Sequence, residues 1–280
     1  MSNKDLLANI KKLRELTGVG FKDCKLAIDE TDGDIEKSVE FLRKKGIAKA
    51  SKKMSRTAAE GLALVNQKNG EVSVIEINSE TDFVAKNQDF ISFCKEISEI
   101  CFEQKGDIEK INLANMKNNI NVKSNLIDLI AKIGEKITLR RAKYFEKKNG
   151  INFHYVHSAV EKNIGKIIAI VKISEIENTS EIGTKLAMHI AASNPLSIDK
   201  NDLDKALIEK ELEIIKAELV NSGKKAEMIE KISQGKLNKF ISDNTLLNQV
   251  WIMDPKKKVS DILKGYKVLD YVRYKVGEGV

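Results

Sequence analysis

The order of apolar patterns after residue 60 constrains the fold of this chain most strongly. Two runs of alternating apolar residues flank Lys68-Asn69-Gly70, a strong hairpin signal because Asn and Gly tolerate the positive φ that such turns require. A helical pattern follows from about Asp89 to Gln104, another lies near 126–133, and a strand pattern from Ile137 to Tyr144 closes the series. This order favours locally paired strands over a parallel sheet wound by alternating helices.

The same order returns in the second half of the chain. A hairpin is expected around Lys162-Asn163, a helix from Glu181 to Ser193, and a closing strand from Val268 to Val276. We therefore predict an α+β protein whose core is a duplicated α+β unit, built from antiparallel sheets with helices. The predicted core subdomains are 61–148 and, for the second, 149–200 together with 239–280.

An insertion of helical character, residues 201–238, interrupts the second unit. Leucines and isoleucines recur at helical spacing on both sides of Asn221-Ser222-Gly223, which predicts two antiparallel helices joined by a turn. We expect their apolar stripes to pack against each other, with self-association through this helical hairpin as a further option.

Residues 1–50 have the pattern of three short helices, with breaks at Gly18-Val19-Gly20 and Asp32-Gly33-Asp34. So small a helical domain is better suited to binding than to catalysis. The basic run from Arg43 to Arg56 contains no aromatic residue, so we interpret it as a solvated helix end and assign 51–60 to a basic linker.

Composition limits the function classes. The formal charge of +7 and the pI near 9.0 admit a nucleic-acid partner, but 48 basic residues are offset by 41 acidic ones. Direct nucleic-acid binding is therefore not expected, and a basic RNA-associated adaptor is the alternative function. The sequence shows no apolar leader or membrane span, which predicts a cytoplasmic protein without a membrane partner.

Residues that could carry chemistry are sparse. The sequence contains neither a Gly-x-x-x-x-Gly-Lys-Ser/Thr loop nor a Gly-x-Gly-x-x-Gly loop after a strand. His154 and His157 lie three apart on a predicted strand and should point to opposite faces, while His189 lies among apolar helix residues and should be hydrogen-bonded and partly buried. We therefore predict no enzymatic activity, no metal site and no cofactor. The chain has only three cysteines, an odd number, so we do not expect disulfide bonds to hold the fold together.

The segment from Thr81 to Lys86 is unusual on physical grounds. It lies between a strand and Asn87, a residue type that caps the following helix well, and it places Phe83 at the junction. Phe83 is either an exposed contact residue or a core residue that fixes the entry of the helix.

This segment resembles the characteristic motif of the elongation factor Ts family. The chain also resembles that family along nearly its whole length, with its motifs in the family's order. They are Arg14-Glu15-Leu16-Thr17-Gly18 with Asp23-Cys24-Lys25, Ala131-Lys132-Ile133-Gly134-Glu135 with Arg140-Arg141, Met188-His189-Ile190-Ala191-Ala192-Ser193 before Pro195, and Val276-Gly277-Glu278-Gly279.

The resemblance implies a function and a set of contact residues. It implies a ubiquitin-associated-like (UBA-like) N-terminal domain and a guanine nucleotide exchange factor that binds the translation GTPase elongation factor Tu. In that family an Asp-Phe pair, here Asp82-Phe83, intrudes beside the nucleotide and magnesium site of the GTPase. The partner-binding residues implied for this chain are Arg14, Phe21, Thr81, Asp82, Phe83, Val84, Ile133, Gly134, Glu135 and His157.

Overall fold

A computed structural model describes residues 3–17, 19–174 and 180–280. The N-terminal region forms three helices, α1 (Asn3–Thr17), α2 (Phe21–Glu30) and α3 (Ile35–Lys53), as the sequence pattern predicted. Of the predicted first break, Val19 and Gly20 are not helical and Gly18 lies outside the described residues. The small core that these helices enclose consists of Ile10, Leu13, Cys24, Ala27, Ile28 and Leu42.

Helix α3 is longer than the sequence pattern indicated, because it runs through the basic run to Lys53, inside the segment assigned to the linker. Lysine and arginine are good helix formers, so their charge does not end the helix. The second half of α3 packs against a core helix, α7 (Val122–Ile133). A Cβ atom on Gly46 would lie 3.1 Å from that of Ala131, so glycine permits the close approach of the two helices.

The first half of the core follows the predicted order. Strands β1 (Glu60–Lys68) and β2 (Glu71–Ser79) form a hairpin whose turn residues have positive φ, 53° at Asn69 and 85° at Gly70. The remaining elements of the first half are α4 (Asp82–Ala85), α5 (Gln88–Glu103), α6 (Ile108–Leu113), α7 and β3 (Ile137–Phe145).

The second half repeats this order. It contains β4 (Ile151–Glu161), β5 (Ile164–Ile173), α8 (Ser180–Ser193), α9 (Lys205–Asn221), α10 (Ala226–Asn244), α11 (Val259–Leu263) and β6 (Val268–Lys275). In each half the closing strand pairs with the second strand of the hairpin, β3 with β2 and β6 with β5. This shared pairing fits a duplicated unit, which remains a prediction.

All six strands belong to one antiparallel sheet, ordered β3-β2-β1-β5-β4 with β6 also paired to β5. Among the described residues, β1 and β5 pair at two positions, Ala63 with Gly165 and Leu64 with Ile164, and the N–H of Val65 donates to the carbonyl of Asn163 at 3.0 Å. The mixed helices and antiparallel sheet confirm the α+β class. The two halves were expected to contain separate antiparallel sheets. A short pairing between β1 and β5 instead joins their strands into one continuous sheet.

Helices α9 and α10 form the inserted hairpin, with Gly223 at φ 72° in its turn. Its apolar residues pack mainly within the hairpin, as expected, and α10 continues six residues past 238 to Asn244. Among the described residues, no helix is both long and apolar enough to cross a bilayer. The residues that join the two helices are Ile208, Leu212, Ile215, Leu219, Ile229, Ile232, Leu237, Phe240 and Ile241.

A buried carboxylate on β2, Glu76, connects the C-terminal segment to the first half of the core. Its side chain is fully buried and accepts hydrogen bonds from Arg140 Nη1 at 2.9 Å, Arg141 Nε at 2.6 Å, Asn78 Nδ2 at 3.0 Å and the backbone N–H of Gly277 at 2.9 Å. Burial acts to raise the pKa of Glu76, but these four donors outweigh it and hold the pKa below its ordinary value. Glu76 is therefore ionised at neutral pH.

Candidate functional site

Phe83 is the most exposed large apolar side chain among the described residues, with 79% of its surface accessible. It belongs to α4, a single helical turn between β2 and α5. The next two residues, Val84 and Ala85, are buried in the core of the first half. Asn87 caps α5 by accepting hydrogen bonds from the N–H groups of Asp89 and Phe90, which confirms the predicted cap. The burial of Val84 and Ala85 and the cap at Asn87 fix the backbone on the C-terminal side of Phe83, while the Phe83 side chain itself points away from the core.

A carboxylate from the loop between α7 and β3 anchors the backbone in front of Phe83. Thr81 donates from its N–H to Glu135 Oε2 at 3.0 Å and from its hydroxyl to Glu135 Oε1 at 2.8 Å. Gly134, in the left-handed region at φ 88°, ends α7 and lets the chain turn so that Glu135 faces Thr81. The structure therefore brings together two segments that the sequence analysis named separately, 81–84 and 133–135.

Basic residues at the end of α3 support the same loop. Lys53 Nζ donates to the carbonyl of Gly134, and Arg56 Nη1 lies 3.3 Å from both carboxylate oxygens of Glu80. Glu80 also accepts from the N–H of Lys136 at 2.6 Å. The sequence analysis missed these contacts because Lys53 and Arg56 belong to a run interpreted as solvated, and no local pattern marks partners that lie 81 and 24 residues away.

Asp82 is half-buried next to Phe83 and forms an ion pair with Lys86, with 2.7 Å between Oδ2 and Nζ. The hydrogen bond from Lys86 lowers the pKa of Asp82, and the charge of Lys166 acts in the same direction. Asp82 therefore carries its negative charge at neutral pH and holds Lys86 against the helix turn that presents Phe83.

Arg14 and Phe21 form a second cluster on the N-terminal helices. Together with Leu7, Ile10 and Val19 they line an open pocket of about 510 Å³, and Phe21 is 45% exposed. An exposed aromatic ring beside a guanidinium group is a common arrangement at protein interfaces.

His157 is exposed on β4, where its Nδ1 lies 3.3 Å from the hydroxyl of Tyr155. This contact is local to the strand and does not include the segments 81–84 or 133–135. His154 is half-buried, and burial lowers its pKa. Within residues 3–17, 19–174 and 180–280, no cluster of three or more His, Cys, Asp or Glu side chains could hold a metal ion.

His189 is hydrogen-bonded as predicted, but it is fully buried. Its Nε2 lies 2.9 Å from Gln249 Oε1, its ring stacks on Trp251 at 5.2 Å, and its Nδ1 accepts from the N–H of Ile252 at 3.4 Å. Because Nδ1 accepts, Nε2 carries the proton and donates it to Gln249. Burial lowers the pKa of His189, so this neutral ring is part of the core.

Replacing Glu135 with alanine should loosen the backbone in front of Phe83 without unfolding the protein. The variant removes both acceptors of Thr81, and a hydrogen bond to a charged group contributes about 1.5–3 kcal/mol, which corresponds to a roughly tenfold to hundredfold change in local opening. Amide hydrogen exchange measured by NMR should show this acceleration at Thr81. Unchanged protection of the Thr81 amide would contradict the anchoring role of Glu135.

Comparisons with known proteins agree along the chain. The family model described as "Elongation factor TS" matches residues 80–278. The elongation factor Ts of Methylobacterium nodulans is 41% identical over 285 residues, which cover 98% of this chain and 92% of the relative. The elongation factor Ts of Rhodopseudomonas palustris is 42% identical over 284 residues, which cover 97% and 92%.

Proposed function

Because the chain belongs to the elongation factor Ts family, we propose that it is a guanine nucleotide exchange factor that binds elongation factor Tu and promotes its release of GDP. The observation that carries this proposal is Phe83, a large apolar side chain 79% exposed on a well-supported turn. Aromatic side chains are enriched at the centre of protein interfaces, and a supported turn presents this one at a fixed position. The proposed role involves no covalent step and no cofactor, and the proposed location is the cytoplasm.

Exchange by this route is a matter of linked equilibria. A protein that binds nucleotide-free elongation factor Tu more tightly than the GDP-bound form must weaken GDP binding by the same free energy. The proposed means is intrusion of Asp82-Phe83 beside the nucleotide and magnesium site of the GTPase. The aromatic ring acts as a wedge, and the charged Asp82, paired with Lys86, orients the intruding turn.

The other contact residues have supporting roles in this proposal. Thr81 and Glu135 hold the turn in place through their two hydrogen bonds, and Val84 fixes its base in the core. Ile133 and Gly134 form the adjoining surface. Arg14 and Phe21 hold the N-terminal helices, the proposed UBA-like domain, on the GTPase, and His157 adds a contact from β4.

The helical hairpin offers a surface for self-association. Ile214, Val220 and Met228 are exposed by 45%, 61% and 50%, outside the apolar stripe that joins α9 to α10. We keep self-association through these residues as a proposal that is independent of nucleotide exchange.

Release of a fluorescent GDP analogue from elongation factor Tu tests the proposed function. Adding the purified chain with excess unlabelled GDP should accelerate the fluorescence decay in proportion to its concentration until elongation factor Tu is saturated. The control is the same titration with heat-denatured chain. A release rate that is the same with and without the folded chain would reject the proposal.

A further inference from the structure

An apolar groove of about 670 Å³ lies between α3, α6, α7 and β3. Its floor includes Ile130 and Ile137, both buried in the core of the first half. Among the described residues that line it, Glu109 and Lys123 are the only charged ones. The apolar lining of the described residues is therefore suited to an apolar group.

Two large apolar side chains stand exposed at the edges of this groove. Leu113, the last residue of α6, is 73% exposed, and Met54, just after α3, is 52% exposed. Among the large apolar side chains of the described residues, only that of Phe83 is more exposed than that of Leu113. Exposed apolar residues around a concave apolar surface are typical of a binding site.

The groove is continuous with the loop that anchors the Phe83 turn. Ile130 of α7 lines the groove, and Gly134 follows four residues later, about 6 Å along the helix axis at 1.5 Å per residue. On the opposite wall, Met54 follows Lys53, whose Nζ donates to the carbonyl of Gly134. A partner that contacts Gly134 therefore lies about one helical turn from Ile130, a residue that lines the groove.

We propose that this groove receives an apolar segment of the same GTPase that Phe83 contacts, which makes it an additional binding surface for elongation factor Tu. The inference rests on the proposed function and names a contact outside the intruding turn. Because the groove does not include Asp82 or Phe83, its occupant binds whether or not GDP is present. The groove therefore contributes affinity for the GDP-bound and the nucleotide-free form of elongation factor Tu alike, and it does not itself displace GDP.

The test separates affinity from exchange. The double variant Leu113→Ser/Met54→Ser should raise the Kd for GDP-bound and for nucleotide-free elongation factor Tu by about the same factor, roughly tenfold or more for two interface side chains. The GDP release rate at saturating factor should stay unchanged. The matched control is Leu196→Ser/Val250→Ser, two apolar residues that are 50% and 56% exposed outside the groove, which should alter neither quantity.

A fluorescent label tests occupancy of the groove directly. Leu113→Cys can be labelled selectively with an environment-sensitive dye, because Cys24, Cys94 and Cys101 are all buried. Burial also raises the pKa of the Cys94 and Cys101 thiols, which keeps them unreactive. Nucleotide-free elongation factor Tu should shift the dye emission to the blue, whereas a label at Val250→Cys, a position that is 56% exposed outside the groove, should not respond.

Each contrary result has a distinct meaning. Normal affinity of the groove double variant, or no spectral shift on binding, would reject the groove while leaving the proposed function intact. A blue shift that depends only on the concentration of the labelled chain would assign the groove to a second copy of this protein, which also rejects the proposal. A wild-type chain that does not bind elongation factor Tu would reject the function and the groove together.

Discussion

Replacing Phe83 with alanine should lower the stimulated release of GDP by about thirtyfold, the loss expected when about 2 kcal/mol of interface energy is removed. The melting temperature of the free protein should stay almost unchanged. Phe83 is 79% exposed, and substitutions of exposed side chains usually change stability by less than about 0.5 kcal/mol. A buried aromatic side chain would instead cost about 3 to 5 kcal/mol on truncation.

The loss of exchange should exceed the loss of affinity for nucleotide-free elongation factor Tu. Arg14, Phe21 and Glu135 are unchanged in the variant and continue to hold the complex. Val250→Ala is the matched control, because Val250 is 56% exposed, is not one of the proposed contact residues, and its replacement should affect neither exchange nor stability. Melting temperature and GDP release should be measured on the same preparation. A large fall in melting temperature with normal exchange per folded molecule would rule out the wedge.

Replacing Glu76 with alanine should have the largest effect on stability, a loss of about 2 to 4 kcal/mol. Removing one partner of a buried ion pair costs about 3–5 kcal/mol because the other charge is left uncompensated. The arginine side chains are 22% and 30% exposed, so water recovers part of that cost. For a chain of this size the melting temperature should fall by roughly 5 to 10 °C.

Glu60→Ala is the matched control for Glu76. Glu60 is the first residue of the neighbouring strand β1 and pairs with Lys166 at 2.8 Å, but its side chain is 44% exposed. An exposed pair of this kind contributes at most about 1 kcal/mol. Urea unfolding of both variants at pH 7 gives the comparison. Equal losses in the two variants would show that the Glu76 network contributes no more than a surface pair.

The isosteric variant Glu76→Gln gives the effect of the charge with little change of shape. Folding lowers the pKa of Glu76, so its ionised form contributes stability that is fully present above the unfolded pKa, near 4.3. That contribution disappears as pH falls through the folded pKa. The stability difference between the wild type and Glu76→Gln should therefore be largest at neutral pH and shrink below about pH 4. A constant difference across this range would contradict the assigned ionisation of Glu76.

Local chemistry was sufficient to predict most elements of this chain. Asn69 and Gly70 take the positive φ values that their hairpin requires, and Asn87 caps α5 with two hydrogen bonds. The period of the apolar residues located the helices and strands, because side-chain direction repeats every 3.6 residues in a helix and every two in a strand. Such features depend on neighbours within one or two turns of the chain.

The position of Phe83 illustrates where a local pattern stops being informative. Helix α4 has only four residues, so it is too short to show a periodicity that would separate its buried face from its exposed face. The structure decides the matter by burying Val84 and Ala85 and by exposing Phe83. Glu135 and Lys53 then hold the turn and its neighbouring loop from distant points of the chain.

The sequence by itself determined the α+β class and the order of elements, because turn propensity, capping and apolar period are local properties. Only the tertiary structure decided how those parts meet. Two residue pairs join the halves into one sheet, and Glu76 accepts the N–H of Gly277, 201 residues further along the chain. Contacts between residues so far apart in the chain depend on the packing of several elements at once, and the local sequence around a residue does not identify its distant partner.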